Sequence, residues 1–352
     1  MCAMAQLLYN ESELMRDHAY AQPHIADGRR MHGGFLDDGR YQPPRALVRE
    51  PALAAWIAAL RKRGGELLDA NSSLLSGARV PNVEQHRLLL RHGLSQTFWN
   101  GLTITGKIEG RGRMLAEMQF PDLQPVIVED ISQMGIGHLN RGLLKAHGLD
   151  EGGLPAQGIG GHDVMWFVAR DMVLGGHAFP DVEPPESISR PEAGKRWMQE
   201  LAMPYEGMVS FLMNLLLIEF RAEIGFASTQ AVLRTPGLFA ATASDAAAQE
   251  AAEIIGRIRI DEEIHVASLR LYLGELRSVT FKTEHGGAVP GYVLVDRFWK
   301  GLVQWATVEQ PLLAGRQQLD LIRPRVLAHA DGERIWQEFL ALGDSNLLIA
   351  AA

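Results

Sequence analysis

The chain is short of cysteine, of basic clusters and of long apolar runs, and each shortage closes off a class of function. One cysteine, Cys2, in 352 residues excludes an intramolecular disulfide and any zinc site built on paired thiolates. No dense run of lysine and arginine occurs, and the formal net charge is −8. Nothing in the charge pattern therefore favours nucleic acid or an anionic membrane as partner. The most apolar stretch, residues 208–218 (MVSFLMNLLLI), is far shorter than the roughly 20 residues a membrane span needs, and reads as a buried helix. The first residues lack the basic start and apolar core of a secretory signal, so the cytoplasm is the expected location.

What remains is the composition of a globular protein, with 47% hydrophobic and 22% charged residues and enough length for a large core. Residues 1–45 carry Gly28, Gly33, Gly34, Gly39 and Pro43-Pro44 and read as an irregular arm. Residues 46–352 read as one helical domain, with a bundle over about 83–277. Apolar spacing predicts helices over 51–69, over 83–118 as one long or two abutting segments, and over 123–147 with a distortion at Gly135 and Gly137. Glycines at 148, 152, 153, 158, 160 and 161 predict a loop over 148–161. A short helix over 162–174 and a proline-rich loop over 175–193 follow. Long loops in a compact protein commonly cover a binding site. The strongest helix spans 194–234. An alanine-rich one follows from Ser244 or Asp245 as cap to about 277. An extended excursion over 279–290 and two or three further helices to 343 complete the chain.

The alanine-rich helix carries the chemical signal. Residues 258, 262, 265, 269, 272 and 276 share a face and read Ile, Glu, His, Leu, Tyr, Leu. Glu262 and His265 thus sit inside an apolar stripe, while Glu263 points elsewhere. A bundle helix buries its stripe, and an unpaired buried carboxylate costs several kcal/mol. A cation compensates, because carboxylate oxygen and imidazole nitrogen both ligate iron or manganese. The preceding helix bears Glu219 and, one turn on, Glu223. In an antiparallel hairpin turning near residue 240, Glu219 lies level with about 261 and faces Glu262. The alternative for Glu262 and His265 is a buried ion pair or polar network with Arg257, Arg259 or another arginine. For Glu223 it is a solvated position near Arg221, and Tyr272 reads as core.

Residues 206–276 resemble the ferritin-like diiron-carboxylate superfamily, whose site takes a glutamate from each of two helices and Glu-x-x-His from each of two others. Glu262-Glu263-Ile264-His265 matches that element, and IRIDEEIH is similar to the corresponding helix of ribonucleotide reductase small subunits. The resemblance implies an all-α, ferritin-like bundle with extra N- and C-terminal helices and long loops. It implies two irons, or manganese with iron, bridged by carboxylates. Glu219 and Glu262 would ligate or bridge, with His265 a terminal nitrogen ligand. Dioxygen would be the co-substrate, used to hydroxylate, desaturate or N-oxygenate a small organic substrate, with electrons from a separate donor. No second Glu-x-x-His stands where the family places one. Around the Pro121 turn, Glu109 on one side and Glu129 and His138 on the other are the candidates for the first half of the site. A bulge at 135–137 is needed to aim both of the latter at one ion.

Two other readings stay open. His138, His162-Asp163 and a later aspartate such as Asp261 fit loosely the pattern of HD-type metal-dependent phosphohydrolases. A metal-free helical interaction protein would use Glu262 and His265 in a polar network. His86, His92, His147, His177 and His285 have no partner at ligand spacing and read as ordinary residues.

Overall fold

The computed structural model describes residues 7–77 and 79–343; Cys2 lies outside them. The elements in chain order are α1 (Glu11–Leu14), β1 (Gln22–Ala26), β2 (Arg29–Phe35), β3 (Tyr41–Gln42), α2 (Ala46–Lys62), α3 (Val83–Arg91), α4 (Gln96–Gly112), α5 (Leu143–Gly152) and α6 (His162–Leu174). After them come α7 (Met203–Leu233), α8 (Asp245–Ser278), β4 (Thr280–Lys282), β5 (Ala288–Pro290), α9 (Gly291–Gln304), α10 (Gln310–Leu327) and α11 (Gly332–Ala341). The protein is mostly helical and built as a helical bundle. Among the described residues no helix is long and apolar enough to cross a membrane.

The expected hairpin of α7 and α8 is present, in the expected register. The Gln230 amide donates to the Ala252 carbonyl at 2.8 Å, and Glu223 pairs with Arg259, so pairs across the two helices sum to the same centre near residue 241. The Ser244 hydroxyl caps α8 by accepting from Ala247 N, and Pro204 suits the first turn of α7, where its missing N–H costs nothing. Along α8 the stripe of Ile258, Leu269, Tyr272 and Leu276 is buried, and Glu262 and His265 are buried with it, 6% and 1% exposed. Burying four such side chains contributes roughly 1.5–3 kcal/mol each, which outweighs the several kcal/mol of turning one carboxylate inward.

The two long helices thread two separate apolar cores. Leu212, Leu216, Leu269 and Leu273 belong to one, with Trp56 and Phe298. Phe226, Val232, Ile254 and Ile258 belong to the other, with Trp99 and Trp166. Between these cores lies a layer of buried charged side chains that includes Glu219, Asp261, Glu262 and His265. In that layer α4 packs on α6 and α6 on α8, while α5 packs on α4 and α6. On the remaining side, α4 and α7 stand apart and a cavity of about 780 Å³ separates them.

The N-terminal arm differs from the expected irregular chain: β1, β2 and β3 form an antiparallel sheet. Asp27 and Gly28, both at positive φ (48° and 68°), make the tight hairpin turn that an Asp-Gly pair favours. The sheet is joined to the bundle, since His32 N donates to the Gly160 carbonyl and Gly160 N to the Arg30 carbonyl, each at 2.9 Å. The helix expected over 123–147 is also different. Short 3-10 turns at Gln124–Val126 and Gly135–Arg141 precede α5, and α5 takes in residues 148–152 of the segment expected as a glycine loop.

Candidate metal centre

The glycines of α5 are packing residues. A Cβ on Gly148 would lie 2.4 Å from Ala116 N, one on Gly152 2.4 Å from Arg113 Cβ, and one on Gly112 of α4 2.5 Å from Glu151 Cγ. Side chains at these positions would push α5 off the end of α4 and the 3-10 turn Arg113–Ala116 that follows it, and α5 carries His147 and Glu151 one turn apart on one face. Gly148→Ala should therefore destabilise the protein by about 1–3 kcal/mol, the usual cost of overpacking. Denaturant unfolding checks this, and an unchanged midpoint would show that the contact between α5 and the turn at Leu115 and Ala116 is not tight.

Seven buried side chains converge in the charged layer, in two groups that share Glu151. Glu109, Glu151, His162 and Glu262 form one group; His147, Glu151, Glu219 and His265 form the other. Within each group the candidate ligand atoms all lie within 4.8 Å of one another. His162 Nδ1 is 3.1 Å from Glu262 Oε1, 3.4 Å from Glu151 Oε1 and 3.8 Å from Glu109 Oε2. His265 Nδ1 is 2.9 Å from Glu262 Oε2 and 3.2 Å from Glu151 Oε1. His147 Nε2 is 3.0 Å from Glu219 Oε1 and 3.6 Å from Glu151 Oε1, and its ring stacks on His265 with centroids 3.8 Å apart.

A second set of groups holds the far nitrogens of two of these rings. His265 Nε2 lies 3.0 Å from Asp150 Oδ2, and Asp150 is clasped by the buried Arg45 and Arg49 guanidinium groups. His162 Nε2 lies 3.3 Å from Asp261 Oδ2, which also takes His32 Nε2 at 3.0 Å and the Tyr41 hydroxyl at 2.9 Å. A ring that gives its Nε2–H to a carboxylate presents the lone pair of Nδ1 on its other side. With Nε2–H held in this way, each ring in its neutral form would turn the Nδ1 lone pair into the space shared with the glutamates.

Burial raises the carboxyl pKa values of Glu151, Glu219 and Glu262, whereas His162 holds that of Glu109 below its usual range against burial. Burial, then repulsion from Glu262, drives the Glu151 carboxyl well above its ordinary pKa. Burial and Glu262 push Glu219 up to about 7. Burial alone would lower the His162 ring, but Glu151 and Glu262 hold its pKa well above the usual value. Burial, then the neighbouring His265, brings His147 down to about 4. Asp150 behaves differently: burial opposes its ionisation, yet Arg45 and Arg49 hold it well below the usual range. Despite their proximity, Glu151 Oε1, Glu262 Oε1 and His162 Nδ1 make no hydrogen bond. Orphaned buried polar atoms are rare, and three facing one another fit a cation between them.

Of the residues singled out from the sequence, Glu109, Glu219, Glu262 and His265 meet here, and the other three do not. Glu129 accepts from Thr280 N at 2.8 Å, a loop-to-strand contact outside either group. His138 is buried against Trp56 and Tyr9, with Nδ1 2.7 Å from the Met134 carbonyl and Nε2 accepting from Tyr9 N. The 3-10 turn at 135–141 points it into the core, so the bulge needed to pair it with Glu129 does not form. Glu223 faces Arg259 in a half-exposed pair, one turn too far along α7. Arg257 and Arg259 do not reach Glu262: Arg257 pairs with Glu250, and Arg259 is taken by Glu223 and Gln230. Asp163 Oδ1 accepts from Gly161 N and Val164 N at the start of α6. It therefore does not join His162 and His138 in the hydrolase pattern.

His147, Glu151 and His162 are the members that sequence reasoning did not assign to the site. His147-x-x-x-Glu151 has helical ligand spacing, hidden by the glycines around it. No protein-family profile matches the chain, and no curated protein or solved structure is significantly similar to it.

Proposed function

We propose that the seven side chains hold two iron ions, or one manganese and one iron, and that the protein uses dioxygen to oxidise a small organic substrate. One observation carries this reading: Glu151 Oε1, Glu262 Oε1 and His162 Nδ1 are buried, face one another and have no hydrogen-bond partner. Four carboxylates and three imidazoles, with no thiolate, are a donor set suited to iron and manganese. When bound and reduced, such an ion pair supplies the electrons that dioxygen activation requires, and a separate donor would restore them.

The protein's own groups have distinct tasks. Glu109 and His162 belong to one position, His147, Glu219 and His265 to the other. Glu151 belongs to both, and Glu262 reaches both His162 and His265. Asp150 and Asp261 fix the ring orientations of His265 and His162. Glu109, Glu151 and Glu219 also line the cavity between α4 and α7, so a molecule in that cavity would lie directly against the charged layer. Its apolar walls, among them Leu102, Phe211, Leu215 and Phe226, would exclude water from the reacting group.

Anaerobic loading with ferrous iron followed by addition of oxygen tests this reading. The expected result is uptake of about two irons per chain and oxygen consumption with a new absorption band. Protein that takes up no iron, or takes it up and leaves oxygen untouched, contradicts it.

A further inference from the structure

The cavity contains a cation, Arg79, that no carboxylate among the described residues neutralises. Arg79, in the connection before α3, lays its guanidinium against α7, where a Cβ on Gly225 would stand 3.0 Å from Nη1 and 3.6 Å from Nη2. Its side chain is reachable by water within the cavity. Among the described residues it has neither an ion-pair nor a hydrogen-bond partner. The surrounding protein lowers its pKa through burial, and no carboxylate among the described residues opposes that shift. The other arginines on the cavity wall are committed: Arg221 donates to the Leu74 and Ser76 carbonyls, and Arg111 to the Pro185 carbonyl.

His86 of α3 lines the same cavity and is itself 8% exposed. Its Nδ1 is buried without a partner. Burial, and then the charge of Arg79, brings its pKa down to about 3, so the ring is neutral at physiological pH and can offer one N–H. A guanidinium fork beside a neutral donor matches a single carboxylate. Along α7 from Ile218 to Phe226 the cavity is lined by Ile218, Ala222 and Phe226, with Leu102 of α4 adding apolar wall; Arg221, also on this stretch, turns its guanidinium to the Leu74 and Ser76 carbonyls. Gly225 and Glu219 are six residues apart on α7, which sets the two ends about 9 Å apart at 1.5 Å per residue.

We infer that the substrate is an apolar monocarboxylate, bound head-first by Arg79 and His86 with its hydrocarbon body laid along α7 towards Glu219. This names the substrate class of the oxidation proposed above and rests on that reading for the chemistry, but the binding step needs no metal. Salt-bridged recognition at one end and apolar contact along the rest would select chains long enough to bring a carbon to the charged layer. Short acids would leave the inner part of the cavity empty.

Calorimetric titration of metal-free protein with decanoate, and with decanamide as its neutral isostere, tests the inference. Wild type should bind decanoate at least about tenfold more tightly than decanamide, the size expected for one hydrogen-bonded charge. Arg79→Gln should remove that preference while leaving the affinity for decanamide and the iron content of the loaded protein unchanged. Unchanged decanamide binding also shows that the variant is folded. Equal affinities for acid and amide in wild type, an undiminished preference in Arg79→Gln, or saturable binding of neither compound overturns the proposal. Each of those results can come from a protein that still takes up iron and consumes oxygen, so they are separable from failure of the metal reading.

Discussion

Glu151→Ala should abolish binding of both metal ions, whereas Glu109→Ala and His147→Ala should each remove one. Glu151 is the one side chain common to the two groups, with Oε1 3.4 Å from His162 Nδ1, 3.2 Å from His265 Nδ1 and 3.6 Å from His147 Nε2. Glu109 contacts only the His162 side and His147 only the Glu219 side. Removing a residue that merely orients a ligand already costs about 10–100-fold in metal affinity, so loss of a shared ligand should exceed that at both positions. The metal-free protein should respond in the opposite direction. Burial and Glu262 repulsion raise the Glu151 pKa, which means that this carboxylate opposes folding when no cation is present. Metal-free Glu151→Ala should thus unfold at a higher temperature than metal-free wild type, while its unfolding no longer responds to iron. Metal content by elemental analysis, with thermal unfolding with and without iron, reads both effects. A variant that keeps two ions, or one that is destabilised without metal, would remove Glu151 from the role assigned to it.

Asp150→Ala should be among the most damaging single substitutions to stability. Asp150 is fully buried and joins the Arg45 and Arg49 guanidinium groups to His265 Nε2. Without it two buried arginines lose their counter-charge, and breaking a buried pair by removing one partner costs about 3–5 kcal/mol. The same change frees the His265 ring, so iron affinity at the Glu219 position should fall about 10–100-fold. Arg49 also donates to the Pro44 carbonyl, and Arg45 N to Asp17, so the effect should extend to the connection between β3 and α2. Chemical denaturation and iron titration of the same variant measure the two losses. A ΔG of unfolding within about 1 kcal/mol of wild type would mean that water replaces the aspartate, and that the Arg–Asp–His chain is not structural.

The sequence made one half of the charged layer readable and hid the other for identifiable reasons. α7 and α8 are long, uninterrupted and apolar on one side, so helical spacing placed Glu219, Glu262 and His265 on facing surfaces and fixed their level to within a turn. α5 is short and holds Gly148 and Gly152, which look like loop residues by composition but serve close helix contact with Ala116 and Arg113. Those glycines place Glu151 in an expected loop and leave His147 at the end of an expected helix with no partner at ligand spacing, so Glu129 and His138 stand as the candidates instead, in segments that in fact form a bend and a 3-10 helix. His162 was visible only as half of a His-Asp pair, because its partner Glu262 is a hundred residues away. The orienting groups, His32, Arg45, Arg49, Asp150 and Asp261, come from a strand, three helices and the turn before one of them. No local pattern links such residues; only the packed chain brings them together. The Asp27-Gly28 hairpin was a readable turn signal, outweighed by the surrounding glycines and prolines. Arg79 could not be found from sequence at all, since its significance is the lack of a partner in a cavity.

Anomalous X-ray scattering from crystals grown with iron, recorded on both sides of the iron absorption edge, tests the central claim most directly. Two iron peaks should appear inside the ring of Glu109, His147, Glu151, His162, Glu219, Glu262 and His265, with Glu151 touching both. An iron-free layer in which those carboxylates are protonated and hydrogen-bonded to one another or to water would contradict it.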